Sequence, residues 1–445
     1  MIDSHELKRR DSYLNKLIGF QDTEPVKVIT GIRRCGKSYL LFELFVDWLH
    51  EAGITDDHII AIQLDDDDHK DERRPEALSK FVKDRLPRDG KPTYVLIDEI
   101  QMCQPEDDTD STATTFYDVL NSLVKKRGVS VYVTGSNSRM LSKDVATNFR
   151  DRGVEIRIWP LSFAEYRSAR PDLDASAAWD NYLMYGGMPR AVTAKDDGER
   201  ASYLEGLFRY VYNRDIVERY NLKDDYVLDN AIKAVSSSVG SLTNPTRLAD
   251  AMKTVLKVDV SAPTLSKYLG YMEDCFLLSV AHRYDVKGKR YFGYPSKYYA
   301  VDVGLRNAKL NFRQLEKTHL MENVIYTELL RRGYSVDVGV VETVTRVKGR
   351  QERRQHEIDF VVNLSFRKVY IQSALEIPDV EKEAQETFSL RNSGDFFRKL
   401  VIVGGSQPLR ANEDGIYFVG VIPFLLNPAL LLGEDVADSV KGDRL

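Results

Sequence analysis

The chain has few cysteines and little net charge. The three cysteines among its 445 residues, Cys35, Cys103 and Cys275, lie too far apart in sequence for a metal-binding spacing or a disulfide framework, which favours a reducing compartment. A formal net charge of -5 excludes an overall basic protein, so contacts with nucleic acid must come from local basic patches. The length predicts roughly two to four domains.

The chain also lacks a long apolar run. The longest, around Val421 to Leu432, is interrupted by Pro423 and Pro428. It falls short of the roughly 20 apolar residues that a membrane helix needs. The first ten residues contain no apolar core, so we expect no signal peptide, no membrane partner and a cytoplasmic location.

A phosphate-binding loop is the strongest local pattern. Gly31-Ile-Arg-Arg-Cys-Gly-Lys-Ser38 matches Gly-x-x-x-x-Gly-Lys-Ser/Thr in full, between an apolar run and a segment with helical spacing. The glycines let backbone N–H groups surround a phosphate at a helix N-terminus, Lys37 reaches the β- and γ-phosphates, and Ser38 holds Mg²⁺. The pattern predicts ATP and Mg²⁺ as cofactors. The residues predicted to bind the nucleotide are Gly31, Ile32, Arg33, Arg34, Cys35, Gly36, Lys37, Ser38 and Tyr39.

Two further strand ends carry candidate catalytic groups. Tyr94-Val-Leu-Ile-Asp-Glu99 is an apolar run ending in two carboxylates, which places Asp98 beside the Mg²⁺ and leaves Glu99 as general base. After the next run, Ser136 or Asn137 is predicted to orient the attacking water. The alternative for that segment is a polar turn that caps the next helix.

Apolar runs alternate with helix-like segments in the first third, which predicts a parallel sheet covered on both faces. The predicted strands are Val26–Thr30, His58–Leu64, Thr93–Asp98, Val129–Thr134 and Val154–Trp159.

The middle of the chain is predicted to be helical from Phe163 to Val239 and then to form a winged helix. Two short helical segments precede strand-like runs at Phe276–His282 and Tyr291–Val303, with a basic, aromatic stretch between the runs. Such a module binds DNA or docks proteins, and both alternatives remain open.

The order of elements in the last third resembles a restriction-endonuclease core. Asp359 stands where the first metal-binding carboxylate belongs, and Glu322 is a possible helix-borne ligand. The triplet expected to be Glu/Asp-x-Lys reads Gln372-Ser373-Ala374, and Lys382 on the next helix is a displaced alternative. We therefore expect a degenerate nuclease domain that binds DNA or mediates assembly without efficient cleavage. For Glu357 and Asp359 the alternative is an exposed strand edge with ordinary solvated charges.

The ordered motifs resemble AAA+ ATPases, and more narrowly a bacterial and archaeal AAA-like family with a winged helix and a restriction-endonuclease-like C-terminal domain. The matching phrases include Leu-Ile-Asp-Glu-Ile-Gln, Trp-Pro-Leu-Ser-Phe-Ala-Glu-Tyr, Tyr-Gly-Gly-Met-Pro and Val-Asp-Val-Gly-Leu-Arg. The resemblance implies that Arg152, or Arg150, is an arginine finger and that Arg190 is a sensor arginine that contacts the nucleotide. A finger acting on a neighbour implies a homo-oligomer, for which a hexameric ring is one form.

The sequence thus predicts an α/β protein: a P-loop NTPase core at 1–165, a helical lid and winged helix at 166–310, and a restriction-endonuclease-like domain at 311–445. The predicted function is a Mg-dependent AAA+ ATPase that couples hydrolysis to DNA binding, remodelling or translocation. An ATP-controlled switch or scaffold acting on a protein, and an ATP-gated nuclease, are the alternatives.

Overall fold

The chain folds as two units, each built on its own sheet. In this computed structural model, residues 10–105, 113–136, 153–223, 225–347, 350–365 and 367–433 are described. The first unit comprises Met1–Pro160 with Asp274–Phe276, and the second comprises Leu161–Glu273 with Leu277–Leu445. No helix in the described ranges combines the length and the apolar character needed to span a membrane.

The first unit contains a five-stranded parallel sheet in the order β2-β3-β4-β1-β5. Its strands are β1 (Val26–Thr30), β2 (Ile59–Gln63), β3 (Thr93–Asp98), β4 (Val129–Gly135) and β5 (Gly153–Arg157). Its helices are α1 (Asp11–Gly19), α2 (Lys37–Tyr39, continuing through a π-helical stretch, Leu40–Phe45, to Val46–Glu51), α3 (Pro75–Arg85) and α4 (Phe116–Leu123).

The central strands of this sheet are covered on both faces. Every residue of β1 and β3 is buried, as expected for apolar strands between helical layers. On one face, α3 and α4 pack their apolar residues against β1 to β4. The predicted parallel P-loop sheet is confirmed, and the carboxyl ends of β1, β3 and β4 meet at one edge.

The second unit starts with helices and ends with a mixed nine-stranded sheet in the order β13-β14-β12-β11-β10-β9-β7-β8-β6. Its helices are α5 (Phe163–Ala169), α6 (Ala175–Tyr185), α7 (Pro189–Thr193), α8 (Asp197–Val211, then π-helical Tyr212–Glu218), α9 (Tyr226–Ser237), α10 (Pro245–Ala251, then π-helical Met252–Leu256), α11 (Ala262–Asp274), α12 (Val303–Lys309), α13 (Lys317–Arg331), α14 (Val380–Arg391) and α15 (Val421–Leu426). Its strands are β6 (Leu242–Thr243), β7 (Leu278–Asp285), β8 (Arg290–Ala300), β9 (Ser335–Val347), β10 (Arg350–Leu364), β11 (Arg367–Ala374), β12 (Arg398–Val403), β13 (Arg410–Ala411) and β14 (Tyr417–Gly420).

The hairpin of β7 and β8 belongs to the same sheet as the C-terminal strands. Strand β7 pairs in parallel with β9, with Arg283 opposite Val338 and Asp285 opposite Val340. Backbone hydrogen bonds therefore cross the boundary predicted at residue 310, because two strands distant in sequence pair edge to edge. The division into a winged helix and a nuclease-like domain stays a prediction.

Candidate active site

The loop after β1 has a backbone that requires glycine. Gly31 has φ +145°, and a Cβ atom there would lie 2.3 Å from the carbonyl oxygen of Ile158. Gly36, with φ +103°, precedes the first residue of α2. L residues rarely adopt such angles, so these glycines let the loop turn tightly below the helix N-terminus.

The loop lysine lies across the loop itself. Lys37 is buried, and its Nζ donates to the carbonyl oxygens of Gly31 at 3.0 Å and Ile32 at 3.3 Å. A second buried cation supports the loop from outside the motif, because Arg10 donates to the carbonyl oxygens of Cys35 at 2.8 Å and Trp159 at 2.6 Å. Two loop carbonyls thus hold the Lys37 ammonium against the loop.

The carboxylate at the end of β3 is bound by two hydroxyls. Asp98 is buried and accepts hydrogen bonds from Thr134 on β4 and from Ser38 on the loop. Burial raises the pKa of Asp98 above its usual value, while both hydroxyls oppose that shift. Ser38 and Asp98 together present a hydroxyl and a carboxylate, which are oxygen donors suited to Mg²⁺.

The second carboxylate, Glu99, lies in the left-handed backbone region with φ +51°. Its N–H donates to Oγ1 of Thr134 at 3.0 Å. Its Oε2 accepts from the amide of Gln101, lies 3.5 Å from Oγ of Ser136 and 3.9 Å from a guanidinium nitrogen of Arg33. The structure therefore brings Glu99, Ser136 and the phosphate-binding loop together.

The remaining residues predicted to contact the nucleotide or the attacking water differ in burial, and some lie outside the described ranges. Arg34 is exposed with φ +62°, Ile32 is buried, and burial raises the pKa of Tyr39. Asn137, Arg150 and Arg152 lie outside the described residues. Arg190 belongs to the second unit, where its guanidinium lies 5.4 Å from the centre of the Tyr203 ring.

Three supporting residues were missed by sequence reasoning. Thr134 joins both acidic residues, Gln101 holds Glu99, and Arg10 holds the loop. Gln101 lies within the phrase Leu-Ile-Asp-Glu-Ile-Gln, and Thr134 is the last residue of the predicted strand Val129–Thr134, so the polarity of both residues was an available signal. Arg10 offered none, because its partners lie 25 and 149 residues away.

The second unit contains the other predicted carboxylates. Glu322 on α13 and Asp359 on β10 both contact one ammonium, that of Lys297 on β8, at 2.9 Å and 3.6 Å. Glu357 also contacts this ammonium, at 2.6 Å. Burial raises the pKa of Glu322 to about 7, whereas the three carboxylates raise the pKa of Lys297 against the opposing effect of its burial.

This cluster does not fit a metal ion in its present form. Across the described ranges, no group of three or more His, Cys, Asp or Glu side chains is arranged to hold one. Lys382, the displaced lysine considered above, pairs with Glu386 at 2.6 Å on its own helix.

Two family models match the chain. One, described as an AAA domain, matches residues 23–167, and the other, described as a domain of unknown function (DUF8612), matches residues 176–316.

Relatives match over most of the chain. It is 33% identical over 422 residues to an uncharacterized protein of Haemophilus influenzae, covering 94% of this chain and 98% of the relative. It is 26% identical over 404 residues to an uncharacterized protein of Methanocaldococcus jannaschii, covering 86% of this chain and 82% of that protein. Among solved structures, the AMPPCP-bound DnaA protein of Aquifex aeolicus is similar at 12% identity and a TM-score of 0.30, covering 58% of this chain and 85% of that one.

The AAA-domain match spans the parallel sheet, the loop at Gly31–Ser38 and the two carboxylates at the end of β3. The relative from H. influenzae extends the similarity over nearly the whole length of both proteins. With the site geometry and the family model in agreement, the chain belongs to the AAA+ ATPase family.

Proposed function

We propose that this protein is a Mg-dependent ATPase that uses its second unit to bind DNA. The observation that carries the ATPase proposal is the contact of Ser38 with Asp98, with Lys37 in the same loop and Glu99 one residue further. A phosphate, a divalent cation and an attacking water each have a matching protein group at this edge of the sheet.

Each group has a defined task in the proposed reaction. The loop amides and Lys37 bind the β- and γ-phosphates, and Ser38 and Asp98 hold Mg²⁺. Mg²⁺ bound there neutralises charge on the phosphate oxygens. Glu99 accepts a proton from water as the water oxygen bonds to the γ-phosphorus and the bond to the β–γ bridging oxygen breaks, releasing ADP. Ser136 and Gln101 orient the Glu99 carboxylate.

We also propose that neighbouring copies complete the site. An arginine finger at Arg152, or at Arg150, would neutralise transition-state charge, an effect worth ~10³–10⁵ in rate. Arg190, which belongs to the second unit, is the proposed sensor arginine. This arrangement requires a homo-oligomer, such as a hexameric ring.

The DNA proposal rests on two basic hairpins at one edge of the nine-stranded sheet. Residues 283–290 contain four basic residues and one acidic residue. Residues 342–354 contain five basic and two acidic residues, in a chain whose net charge is -5. Because β7 and β9 run parallel, the hairpins β7–β8 and β9–β10 emerge on the same side. Strand β9 continues to Val347, roughly 23 Å beyond its pairing with β7.

Side-chain contacts join the two hairpins. Nζ of Lys287 donates to the backbone carbonyl of Glu342 at 3.1 Å, and Arg283 donates to Gln355 at 3.0 Å. Both hairpins carry exposed cations that pair with acidic neighbours. Arg290 is 70% exposed and lies 3.2 Å from Asp285, and Arg353 is 74% exposed and lies 3.5 Å from Glu342. Tyr291 adds an exposed aromatic ring on β8. Such a surface matches a phosphate backbone better than a protein partner.

Helices α10 and α11, followed by strands β7 and β8, have the helix, turn, helix and hairpin order proposed for a winged helix. Strand β6 also pairs antiparallel with β8. The β7–β8 hairpin would be its wing. The switch or scaffold function is the second candidate, because winged helices also dock proteins.

One experiment separates the ATPase and DNA proposals. ATP turnover and duplex binding are measured for the wild type, for Glu99→Gln, and for a triple variant Lys289→Gln, Arg353→Gln and Arg354→Gln. Glu99→Gln should reduce turnover by ~10²–10⁴-fold while ATP and DNA binding persist. The triple variant should keep its turnover without DNA, and the slope of log affinity against log salt should fall by about 3.

The matched control neutralises the same number of charges elsewhere. Lys125, Lys126 and Arg127 form an exposed basic run in the first unit, and their replacement by Gln should leave DNA binding unchanged. Equal loss of DNA binding in both triple variants would refute the hairpin surface. Full turnover in Glu99→Gln would refute its role as base, and wild-type protein without salt-dependent DNA binding would favour the protein scaffold.

A further inference from the structure

An ion cluster lies inside the second unit, where helix α13 and strand β10 bring carboxylates to Lys297 on strand β8. The ammonium on β8 contacts Glu322 at 2.9 Å, Glu357 at 2.6 Å and Asp359 at 3.6 Å. The Lys297 side chain is only 4% exposed. Three carboxylates and one ammonium give this cluster a formal charge of -2; Glu322 and Asp359 are buried, and the Glu357 side chain is 33% exposed.

Other groups hold the carboxylates toward the ammonium. The hydroxyl of Tyr299 donates to Oε1 of Glu322 at 2.7 Å, and the backbone N–H of Ser373 donates to Oδ2 of Asp359 at 2.8 Å. A Cβ atom at Gly240 would come within 3.2 Å of Glu322. The acids are thus fixed in a convergent arrangement by tertiary contacts.

Convergent buried carboxylates need a cation, because uncompensated charge is costly away from water. A divalent ion would need their oxygens at about 2.0–2.6 Å. Here the ammonium contacts all three carboxylates, at hydrogen-bonding separations from Glu322 and Glu357 and at an ion-pair distance of 3.6 Å from Asp359. A divalent cation beside a fixed ammonium would meet like-charge repulsion in a medium of low dielectric constant.

We propose that the ammonium of Lys297 is a built-in replacement for a divalent cation in this cluster. It binds strand β8 to helix α13 and strand β10 as a permanent counter-ion. The cluster therefore takes up no Mg²⁺ or Mn²⁺ and supports no metal-dependent cleavage of nucleic acid. This inference is independent of the ATPase and of DNA binding at the hairpins.

The test is to remove the ammonium and supply a metal. Lys297→Met keeps an unbranched side chain, shorter by the terminal ammonium, and leaves a formal charge of -3. Mn²⁺ is added without nucleotide to full-length protein carrying Asp98→Asn, which removes the carboxylate proposed to hold Mg²⁺ with Ser38 in the first unit. We expect no bound Mn²⁺ with Lys297 present. We expect one Mn²⁺ per chain in the Lys297→Met variant, with affinity raised roughly tenfold or more and the melting temperature raised by Mn²⁺.

A second buried lysine provides the control. Lys27 in the first unit is fully buried, and its Nζ donates to the backbone carbonyl of Thr23 at 2.6 Å. Lys27→Met should destabilise the protein without creating a response to Mn²⁺. If Lys297→Met alone does not fold, adding Glu357→Gln restores the formal charge to -2, and the same gain of Mn²⁺ binding is expected.

Three results would overturn the proposal. One is Mn²⁺ binding to the Lys297-containing protein that Asp359→Asn abolishes. Another is metal-dependent DNA cleavage by that protein that Asp359→Ala removes. The third is a folded variant lacking Lys297 that binds no Mn²⁺.

Discussion

The hydroxyl of Thr134 is the contact on which both acidic residues of the nucleotide site depend. Thr134 is fully buried, donates to the Asp98 carboxylate and accepts the N–H of Glu99 at 3.0 Å. Thr134→Val replaces this hydroxyl with a methyl group of similar size. The substitution therefore tests hydrogen bonding with little change in packing volume.

The expected cost follows from the two lost contacts. An unsatisfied buried N–H at Glu99 costs about 1–3 kcal/mol, and a lost hydrogen bond to the Asp98 carboxylate costs about 1.5–3 kcal/mol. We expect the free energy of unfolding to fall by about 2.5–6 kcal/mol. Misplacement of both acids should reduce ATP turnover by roughly 10²-fold.

The pH dependence distinguishes a positioning role from general destabilisation. The Thr134 hydroxyl opposes the burial that raises the pKa of Asp98, so its removal should raise that pKa further. The acidic limb of the profile of turnover against pH should then move to higher pH. Urea unfolding and steady-state ATP turnover between pH 5 and pH 9 measure both effects.

Thr134→Ser provides the matched control, because it keeps the hydroxyl. It should restore turnover to within a few-fold of wild type and return the acidic limb to its position. Wild-type turnover in Thr134→Val, or equal defects in the Val and Ser variants, would refute the reasoning.

Two further predictions concern the backbone and pH. Gly31→Ala should destabilise the protein by about 2–5 kcal/mol and abolish binding of a fluorescent ATP analogue, because its Cβ would lie 2.3 Å from the Ile158 carbonyl oxygen at φ +145°. Gly19→Ala, with nothing within 4 Å, should bind normally, and equal binding by the two variants would contradict this expectation. Burial raises the pKa of Asp302 to about 6, so the folded protein keeps a proton that the unfolded chain loses near pH 4. The stability contributed by Asp302 is fully present below pH 4 and is lost as pH rises through 6. Relative to Asp302→Asn, the free energy of unfolding of the wild type in urea should fall by about 3 kcal/mol between pH 4 and pH 7. A difference between the two proteins that stays constant with pH would count against the raised pKa.

Local sequence determined the first unit and most of its site. Strand bounds at Val26–Thr30 and Thr93–Asp98 were predicted as the structure has them, because apolar runs and glycine turns act over adjacent residues. The position of Asp98 and Glu99 at a strand end follows from the same spacing. Their location beside Ser38 follows in turn, since parallel strands end at one edge of the sheet.

Only the tertiary structure decided which charged groups that are distant in sequence form ion pairs. Lys297 was not predicted to meet Glu322 and Asp359, since the three come from a hairpin strand, a helix and another strand. The parallel pairing of β7 with β9, which brings two basic hairpins to one edge, is equally invisible in local spacing. Residue periodicity shows which side of an element faces a core, whereas the partner across that core depends on how all the elements pack together.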